Sequence, residues 1–405
     1  MKVKNTILSV TATLLLTACG SSNGGTTETT DTMDTKEKLG KSLFFDKNLS
    51  KRRETSCATC HDPEHGFVDA RFKDVGVDQA IFIDGALSVG DDGFSLGGRN
   101  APTAAYAMIS PKFDAKKVLG GQFHDGRAAT LKDQAMGPPL DGNEMQMPNK
   151  ASVVERIKEN PKYVEAFKSL YGAKIFDDIN ASYVAMGQAI GKFEKTDLFA
   201  PFDSKYDRLL ACAKIKEDIT ECYIDGGWTR QEQLGESLFF SNNNTNCKTC
   251  HQLKSDLEPE GETFTNYKYE NIGTPKNLRA LQARVDVGSA TNANATDLGV
   301  GKTVNDASKN GMIKVPTLRN VAITGPYMSN GVFKNLKTVL EFYDHMGEGN
   351  RPNNPETGKP WGEPDVNSTI NHVDLQMPAL NDKKIEALEA FLKTLTDKRY
   401  EHLLK

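Results

Sequence analysis

The pattern Cys-x-x-Cys-His occurs twice in this chain of 405 residues, and its six members are Cys57, Cys60, His61, Cys247, Cys250 and His251. This pattern is the attachment signal for c-type haem. Each thiol adds to one vinyl group of the porphyrin, and the histidine binds the iron from one face of the ring. The chain must therefore fold around two covalently bound haems, and the ligand on the opposite face of each iron decides its chemistry.

A redox disulfide or half of a zinc site is the alternative interpretation of Cys-x-x-Cys. A zinc site needs further thiol or histidine ligands at suitable spacing, and the remaining cysteines, Cys19, Cys212 and Cys222, do not supply them. We expect Cys212 and Cys222 to form a disulfide in an oxidising compartment, with two free thiols as the alternative.

The N-terminus indicates export. Residues 1–18 predict a lipoprotein signal peptide, because two lysines precede an apolar stretch that is too short to span a bilayer. The sequence Leu-Thr-Ala-Cys19 is similar to a lipobox, which predicts acylation of Cys19 and a lipid anchor as the only membrane attachment. We expect a location in the periplasm at the outer membrane. The alternative is a cleaved signal followed by a coincidental cysteine.

Composition separates the rest of the chain into predicted segments. Residues 19–35 are polar and read as a flexible tether. We expect a first, peroxidatic haem domain at 36–200, a linker at 201–228 and a second, electron-transfer haem domain at 229–405. The fold class is mainly α, with helices at 152–171, 179–194 and 381–396, and with long loops at 85–98 and 288–310. The formal net charge of −4 gives no electrostatic reason to expect nucleic-acid binding.

An internal repeat supports two tandem cytochrome-c-like haem domains. Leu-Gly-Lys-Ser-Leu-Phe-Phe at 39–45 matches Leu-Gly-Glu-Ser-Leu-Phe-Phe at 234–240, and Asp-Gly at 125–126 matches Asn-Gly at 330–331. Twelve residues after each of these later glycines stand Pro138 and Tyr343. Tyrosine can bind ferric iron, whereas proline has no side-chain donor atom. We therefore expect an open first haem and a second haem closed by Tyr343, with His345 as the rival ligand.

Polar residues near Pro138 predict peroxide chemistry at the first haem. Gln134 and Glu144 are an amide and a carboxylate of the kind that orients hydrogen peroxide and moves its proton. A non-catalytic dihaem electron-transfer protein is the alternative from another class, and these residues argue against it.

The chain from about 36 to 395 resembles the bacterial dihaem cytochrome c peroxidases, and within them the MauG-like branch. The motifs that carry the resemblance are Ser-Cys-Ala-Thr-Cys-His-Asp-Pro at 56–63, Gly-Gly-Arg-Asn-Ala-Pro-Thr at 97–103, Asp-Gly-Arg-Ala at 125–128, Asp-Gln-Ala-Met-Gly-Pro at 133–138, Asn-Glu-Met at 143–145 and Pro-Thr-Leu-Arg-Asn-Val-Ala-Ile-Thr-Gly-Pro-Tyr at 316–327.

The resemblance implies roles for individual residues. In the peroxidase branch a histidine after Ser-Val-Gly caps the first haem, but here Asp91 follows that tripeptide, as expected for the MauG-like branch. That branch also implies Gln134, Pro138 and Glu144 at the first haem and Tyr343 as ligand of the second. Calcium between the domains is implied at Asn100, Thr324 and Pro326. His124 stands where the family usually has an electron-relaying tryptophan, and imidazole is harder to oxidise than indole.

Two catalytic functions share this predicted centre. One is a peroxidase that reduces hydrogen peroxide with electrons from a small redox protein, and the other is a MauG-like enzyme that oxidises side chains of a partner protein. The two differ in the source of the electrons, which is a small redox protein in the first and side chains of a partner protein in the second.

Overall fold

The computed structural model describes residues 32–74, 80–216, 218–254 and 259–404, so Cys19, the predicted signal peptide and most of the tether lie outside the described residues. The described residues are mainly helical, as the sequence predicts. Those before residue 200 contain α1 Lys36–Phe45, α2 Cys57–Cys60, α3 Leu131–Ala135, α4 Lys150–Lys158, α5 Pro161–Tyr171 and α6 Ile179–Phe193.

The described residues after 200 contain nine further α-helices and one small sheet. The helices are α7 Lys205–Ala213, α8 Ile219–Asp225, α9 Arg230–Phe239, α10 Cys247–Cys250, α11 Leu278–Asp286, α12 Val300–Val304, α13 Leu336–Met346, α14 His372–Leu375 and α15 Asp382–Lys393. Strands β1 Tyr269–Glu270 and β2 Ile313–Lys314 form an antiparallel pair. Within the described ranges, no helix combines the length and the apolar character needed to cross a membrane.

Side-chain caps set the starts of the predicted helices. Asn149 accepts a hydrogen bond from the Ser152 N–H at the start of α4. Pro161 occupies the first turn of α5 and separates it from α4, because proline lacks the N–H that a helix interior needs. Asn381 accepts from the Lys384 N–H and begins α15.

The repeated sequence forms the same helix crossing twice. A Cβ added to Gly40 in α1 would lie 1.9 Å from the Ala189 carbonyl oxygen of α6. A Cβ added to Gly235 in α9 would lie 1.9 Å from the Ala387 carbonyl oxygen of α15. Glycine is therefore required in both copies, because only a residue without a side chain lets the two backbones approach this closely.

Each of these helix pairs is covered by its own apolar cluster. The first cluster contains Phe44, Phe67 and Phe199, and the second contains Phe239 and Phe391. Aromatic rings in both clusters meet edge to face, a geometry that aromatic quadrupoles favour. The two helix pairs therefore have separate centres of hydrophobic packing.

The segment predicted as a linker, 201–228, contains α7 and α8. A disulfide joins Cys212 of α7 to Cys222 of α8, with a sulfur–sulfur distance of 2.02 Å. Tyr206 and Trp228 from the same segment are buried in the second apolar cluster. These residues thus pack with the second half of the chain.

The predicted loop at 288–310 is wrong in part, because it contains α12. Val300 is completely buried, and the Asn305 backbone, at φ 54°, ends the helix in the left-handed region. A buried side chain holds this single turn in place, and the polar composition of the segment gives no sign of it.

Candidate functional site

Each haem-attachment histidine is held by a backbone carbonyl. Nδ1 of His61 lies 3.1 Å from the Phe67 oxygen, and Nδ1 of His251 lies 3.0 Å from the Phe264 oxygen. A carbonyl oxygen only accepts, so Nδ1 carries the proton and Nε2 keeps the lone pair that binds iron. Burial lowers the pKa of both histidines, to about 4 for His251, which favours the neutral imidazole.

The two loops that hold these histidines share an uncommon backbone. Phe67 and Phe264 have φ values of 58° and 54°, in the left-handed region that bulky residues rarely adopt. Thr103 and Thr317 donate hydrogen bonds of 2.6 and 2.7 Å to the carbonyl of the residue before each phenylalanine. This correspondence extends the repeat to two Pro-Thr pairs that the sequence comparison missed. Strain of this kind persists where surrounding contacts enforce it.

The four motif cysteines are free thiols, available for thioether bonds to porphyrin vinyl groups. Burial is the main reason that their pKa values are raised, to about 12 for Cys60. Such thiols stay protonated at neutral pH. The free thiols and correctly oriented imidazoles fit c-type haem.

A largely apolar cavity surrounds the second motif. Cys247, Cys250, His251 and Tyr343 all line it. Burial and the nearby thiols raise the pKa of the Tyr343 hydroxyl. One carboxylate oxygen of Asp365, which also lines this cavity, is buried without a hydrogen-bond partner. A thiol pair, an imidazole and a phenol around one apolar space fit a haem with a tyrosine ligand.

The rival ligand His345 lies outside the residues that line this cavity. Its ring stacks on the Trp361 ring at a centroid distance of 5.5 Å and an angle of 20°. Tyr343 and His345 are two positions apart on α13, so they point in different directions. The geometry favours Tyr343 over His345.

Pro138 and Glu144 line a different cavity together with Phe123, Arg127 and Asp141. Burial and the charge of Asp141 raise the pKa of Glu144 to about 7, and Arg127 opposes that shift. The charge of Glu144 in turn raises the pKa of the two thiols of the first motif. A carboxyl group that exchanges its proton near neutral pH therefore lies close to the first haem-attachment site.

Gln134 does not line the cavity of Pro138 and Glu144. It is half-buried near the end of α3, and its backbone bonds to Thr130 and Gly137. The structure thus brings together two of the three residues that the sequence groups at the first haem.

Asp91, at the position of the capping histidine, is 3% exposed and organises a loop. Its side chain accepts hydrogen bonds from the Ser50 hydroxyl at 2.7 Å and from the N–H groups of Arg52, Glu54 and Thr55. Its backbone N–H donates to the Glu144 carbonyl at 2.8 Å. Asp91 therefore fixes the segment that carries Glu144.

His124 lines the cavity around the second motif, and its Nε2 lies 3.0 Å from the Asn100 carbonyl oxygen. Burial and the charges of Arg99 and Lys314 lower the pKa of His124 to about 4. His65, four residues after the haem-attachment histidine His61, forms a hydrogen bond of 2.7 Å with Asp62 in its own loop.

The residues that the resemblance assigns to calcium lie on two segments. The Asn100 N–H donates to the Ser329 carbonyl at 2.8 Å, three residues beyond Pro326. Thr324 lies against Gly66, since a Cβ on that glycine would be 3.0 Å from the Thr324 methyl group. Calcium binding here stays a prediction.

Glu194 is a buried acid that the sequence analysis missed. It is 6% exposed at the end of α6, and one of its carboxylate oxygens has no hydrogen-bond partner. Burial raises its pKa to about 8, and its charge raises the pKa of Cys57. No local sequence pattern marks it, because its burial depends on how α6 packs.

Comparison with known proteins gives a consistent result. A sequence model of the family described as di-haem cytochrome c peroxidase matches residues 34–214. The methylamine utilization protein MauG of Paracoccus denitrificans is 43% identical over 376 residues, which cover 91% of this chain and 90% of that protein.

Two further similarities concern peroxidases. The cytochrome c peroxidase Ccp of Escherichia coli is 31% identical over 293 residues, covering 72% of this chain and 49% of that protein. The crystal structure of the diheme peroxidase BthA from Burkholderia thailandensis superimposes with a TM-score of 0.73 at 28% identity, covering 91% of this chain and 88% of that one.

Proposed function

The chain belongs to the di-haem cytochrome c peroxidase family, and from that membership we propose that it reduces hydrogen peroxide at an open first haem. Electrons from a protein donor reach that haem through the second one. The family implies two c-type haems, and we assign them to two tandem haem domains at 36–200 and 229–405.

The residues that would hold the haems follow from the geometry above. Cys57 and Cys60 attach the first, with His61 as iron ligand. The second motif attaches the other, with His251 and Tyr343 as the two iron ligands. When bound, a haem of this kind supplies an iron that can accept and store oxidising equivalents from peroxide.

The observation that carries the proposal is Glu144. A group that moves a proton in both directions works best when its pKa lies near the working pH, and that of Glu144 is about 7. Glu144 takes the proton from one oxygen of hydrogen peroxide and returns it to the other, so that the second oxygen leaves as water when the O–O bond breaks. Two electrons from the protein donor and two further protons reduce the remaining oxygen to a second water. Pro138, on the same cavity, supplies no donor atom that could compete for the iron.

At the second haem, Tyr343 contributes a different property. A phenolate is an anionic ligand, which stabilises iron in its oxidised states. Because the two irons would have different ligands, the first haem could react with peroxide while the second holds an oxidising equivalent.

A MauG-like function is the second candidate, and it is favoured by the 43% identity to the methylamine utilization protein. In that case the oxidising equivalents are used on side chains of a partner protein. Both functions use the same residues for peroxide cleavage.

We further propose a periplasmic location with a lipid anchor at Cys19, and a calcium ion held by Asn100, Thr324 and Pro326. Oxygen donors from backbone and side chains suit calcium. Calcium removal with a chelator, followed by redox titration of both haems, tests the ion.

The test of the main proposal uses the holoprotein and a reduced small c-type cytochrome. We expect hydrogen peroxide to oxidise that donor catalytically, with Glu155→Gln on the exposed surface of α4 as a variant that keeps full activity. Absence of donor oxidation, together with mass spectra that show oxidised side chains on a co-purified protein, would replace the peroxidase with the MauG-like function. If peroxide leaves the spectra of both haems unchanged, neither function holds.

A further inference from the structure

Lys314 places a positive charge at the cavity around the second motif. It lines this cavity, and its ammonium donates a hydrogen bond of 2.7 Å to the Gly121 carbonyl. Within the described part of the chain, no carboxylate makes an ion pair with it. Burial lowers the pKa of Lys314 to about 8 although the charge of Asp125 opposes this shift. A partly buried ammonium that donates to one neutral carbonyl still lacks a negative charge to compensate its own.

The acidic residues on this cavity are already engaged elsewhere. Asp297 pairs with Arg99 at 2.6 Å, and Asp365 lies 3.7 Å from the Lys276 ammonium. Glu270 and Asp374 have oxygens clustered within 4.8 Å of one another and of the Cys250 sulfur. The negative side chains that face the cavity are therefore either paired or gathered at its thiol side.

The small sheet separates Lys314 from that acidic side. Lys314 is opposite Tyr269, and Ile313 is opposite Glu270. Because neighbouring residues of a strand point to opposite faces, Lys314 and Tyr269 share one face and Glu270 lies on the other. The Tyr269 hydroxyl donates to the Gly120 carbonyl at 2.6 Å, next to the acceptor of Lys314. The Lys314 side thus faces the chain segment 120–124.

We propose that Lys314 forms an ion pair with a propionate of the second haem. Porphyrin vinyl and propionate groups are on opposite edges of the ring, so thioethers at the thiol side leave the propionates for the other side. An anionic propionate there completes the hydrogen bonding of Lys314 and compensates its buried charge. The inference rests on the proposed function only in that a haem occupies this cavity.

This ion pair would also connect the haem to the residues between the two cavities. The Lys314 N–H donates to the His124 carbonyl at 2.8 Å. Lys314 would therefore bind the propionate through its ammonium group, while its side chain also bonds to Gly121 and its backbone to His124. Lys314 is in this sense a positioning residue for the electron path and makes no contact with peroxide.

The test compares Lys314→Met, which keeps the length of the side chain, with Lys314→Arg, which keeps the charge. Lys302→Met is the matched control, because Lys302 is exposed on α12. The midpoint potential of the low-spin haem is measured by spectroelectrochemical titration of the holoprotein, and the propionate bending bands are recorded by resonance Raman spectroscopy.

We expect Lys314→Met to stabilise the ferric second haem at least tenfold over the ferrous form, which is a fall of about 59 mV for a one-electron couple. Its propionate bands shift, while Lys314→Arg and Lys302→Met keep wild-type values. A Lys314→Met protein with both haems attached and with unchanged potential and bands overturns the proposal. These readouts need no peroxide, so they stay valid even if the peroxidase activity is absent.

Discussion

Phe123 and His124 are consecutive in the chain, yet they line different cavities. Phe123 faces the cavity of Glu144, and His124 faces the cavity of Tyr343. The Arg127 guanidinium lies 3.6 Å from the centre of the Phe123 ring and holds it in place. A single peptide bond therefore links a residue of one cavity to a residue of the other. Neither the phenylalanine nor the histidine side chain is easy to oxidise.

For this reason we expect His124→Trp to speed the transfer of an oxidising equivalent from the first haem to the second, since indole gives up an electron more readily than imidazole. Freeze-quench Mössbauer spectra after peroxide addition measure the rate. His402→Trp, on the exposed C-terminal segment, is the control. An unchanged rate in His124→Trp would mean that electrons do not pass through this position.

Glu144→Gln is expected to slow peroxide cleavage by roughly 100- to 10,000-fold, because it removes proton transfer and keeps the shape. In the wild type the carboxylate that accepts the first proton is lost as the pH falls through about 7, so the stopped-flow rate should fall over the same range. The variant should lack this pH step. A variant that retains it would show that another group accepts the proton.

Tyr343→Phe should keep both haems attached but change the low-spin spectrum and raise the potential of the second haem, because an anionic ligand is lost. His345→Ala should leave both properties nearly unchanged. Electron paramagnetic resonance of the ferric proteins distinguishes the two. The opposite pattern would make His345 the ligand and remove phenolate from the proposed mechanism.

Gly235→Ala should lower the free energy of unfolding by about 1–3 kcal/mol, the usual effect of forcing a methyl group into a close-packed contact. The added carbon would collide with the Ala387 carbonyl. Gly142→Ala is the matched control, because nothing lies within 4 Å of its Cβ position. Denaturant unfolding of both holoproteins measures the effect, and equal stabilities would contradict the close approach of α9 and α15.

Glu194 should make the protein less stable as the pH rises. Its folded pKa of about 8 is above the unfolded value, so the folded state binds more protons between the two. Over that range stability falls by up to about 1.4 kcal/mol per pH unit, and below the unfolded pKa the loss is absent. Glu144, with a raised pKa of about 7, contributes a slope of the same sign, so Glu194→Gln should make the slope in thermal unfolding shallower without abolishing it, whereas the exposed control Glu54→Gln should keep it. A slope in Glu194→Gln as steep as in the wild type would assign the effect to other acids.

Local sequence patterns were sufficient for the long helices and for the haem loops. Asn160 before Pro161, Asp178 and Asn381 are the N-caps that mark where α5, α6 and α15 begin, and the cysteine motifs have their own signature. The register that pairs Pro138 with Tyr343 likewise needs only a repeat. Glu194 and Lys314 escaped prediction because their environment is made by distant segments. Closeness in sequence predicts that Gln134 lines the same cavity as Pro138. It does not, because the lining depends on the direction in which each side chain of the short helix α3 points.

The hydrogen bonds that the Asp91 side chain accepts limit how this protein could change during evolution. A histidine at that position would not reproduce the hydrogen bonds that the carboxylate accepts from Ser50, Glu54 and Thr55, although its backbone N–H could still donate to the Glu144 carbonyl. A single substitution would therefore disturb the loop beside Glu144. We therefore expect a replacement of Asp91 to be tolerated only together with changes at the residues that donate to it, so that the effect of each mutation depends on the others.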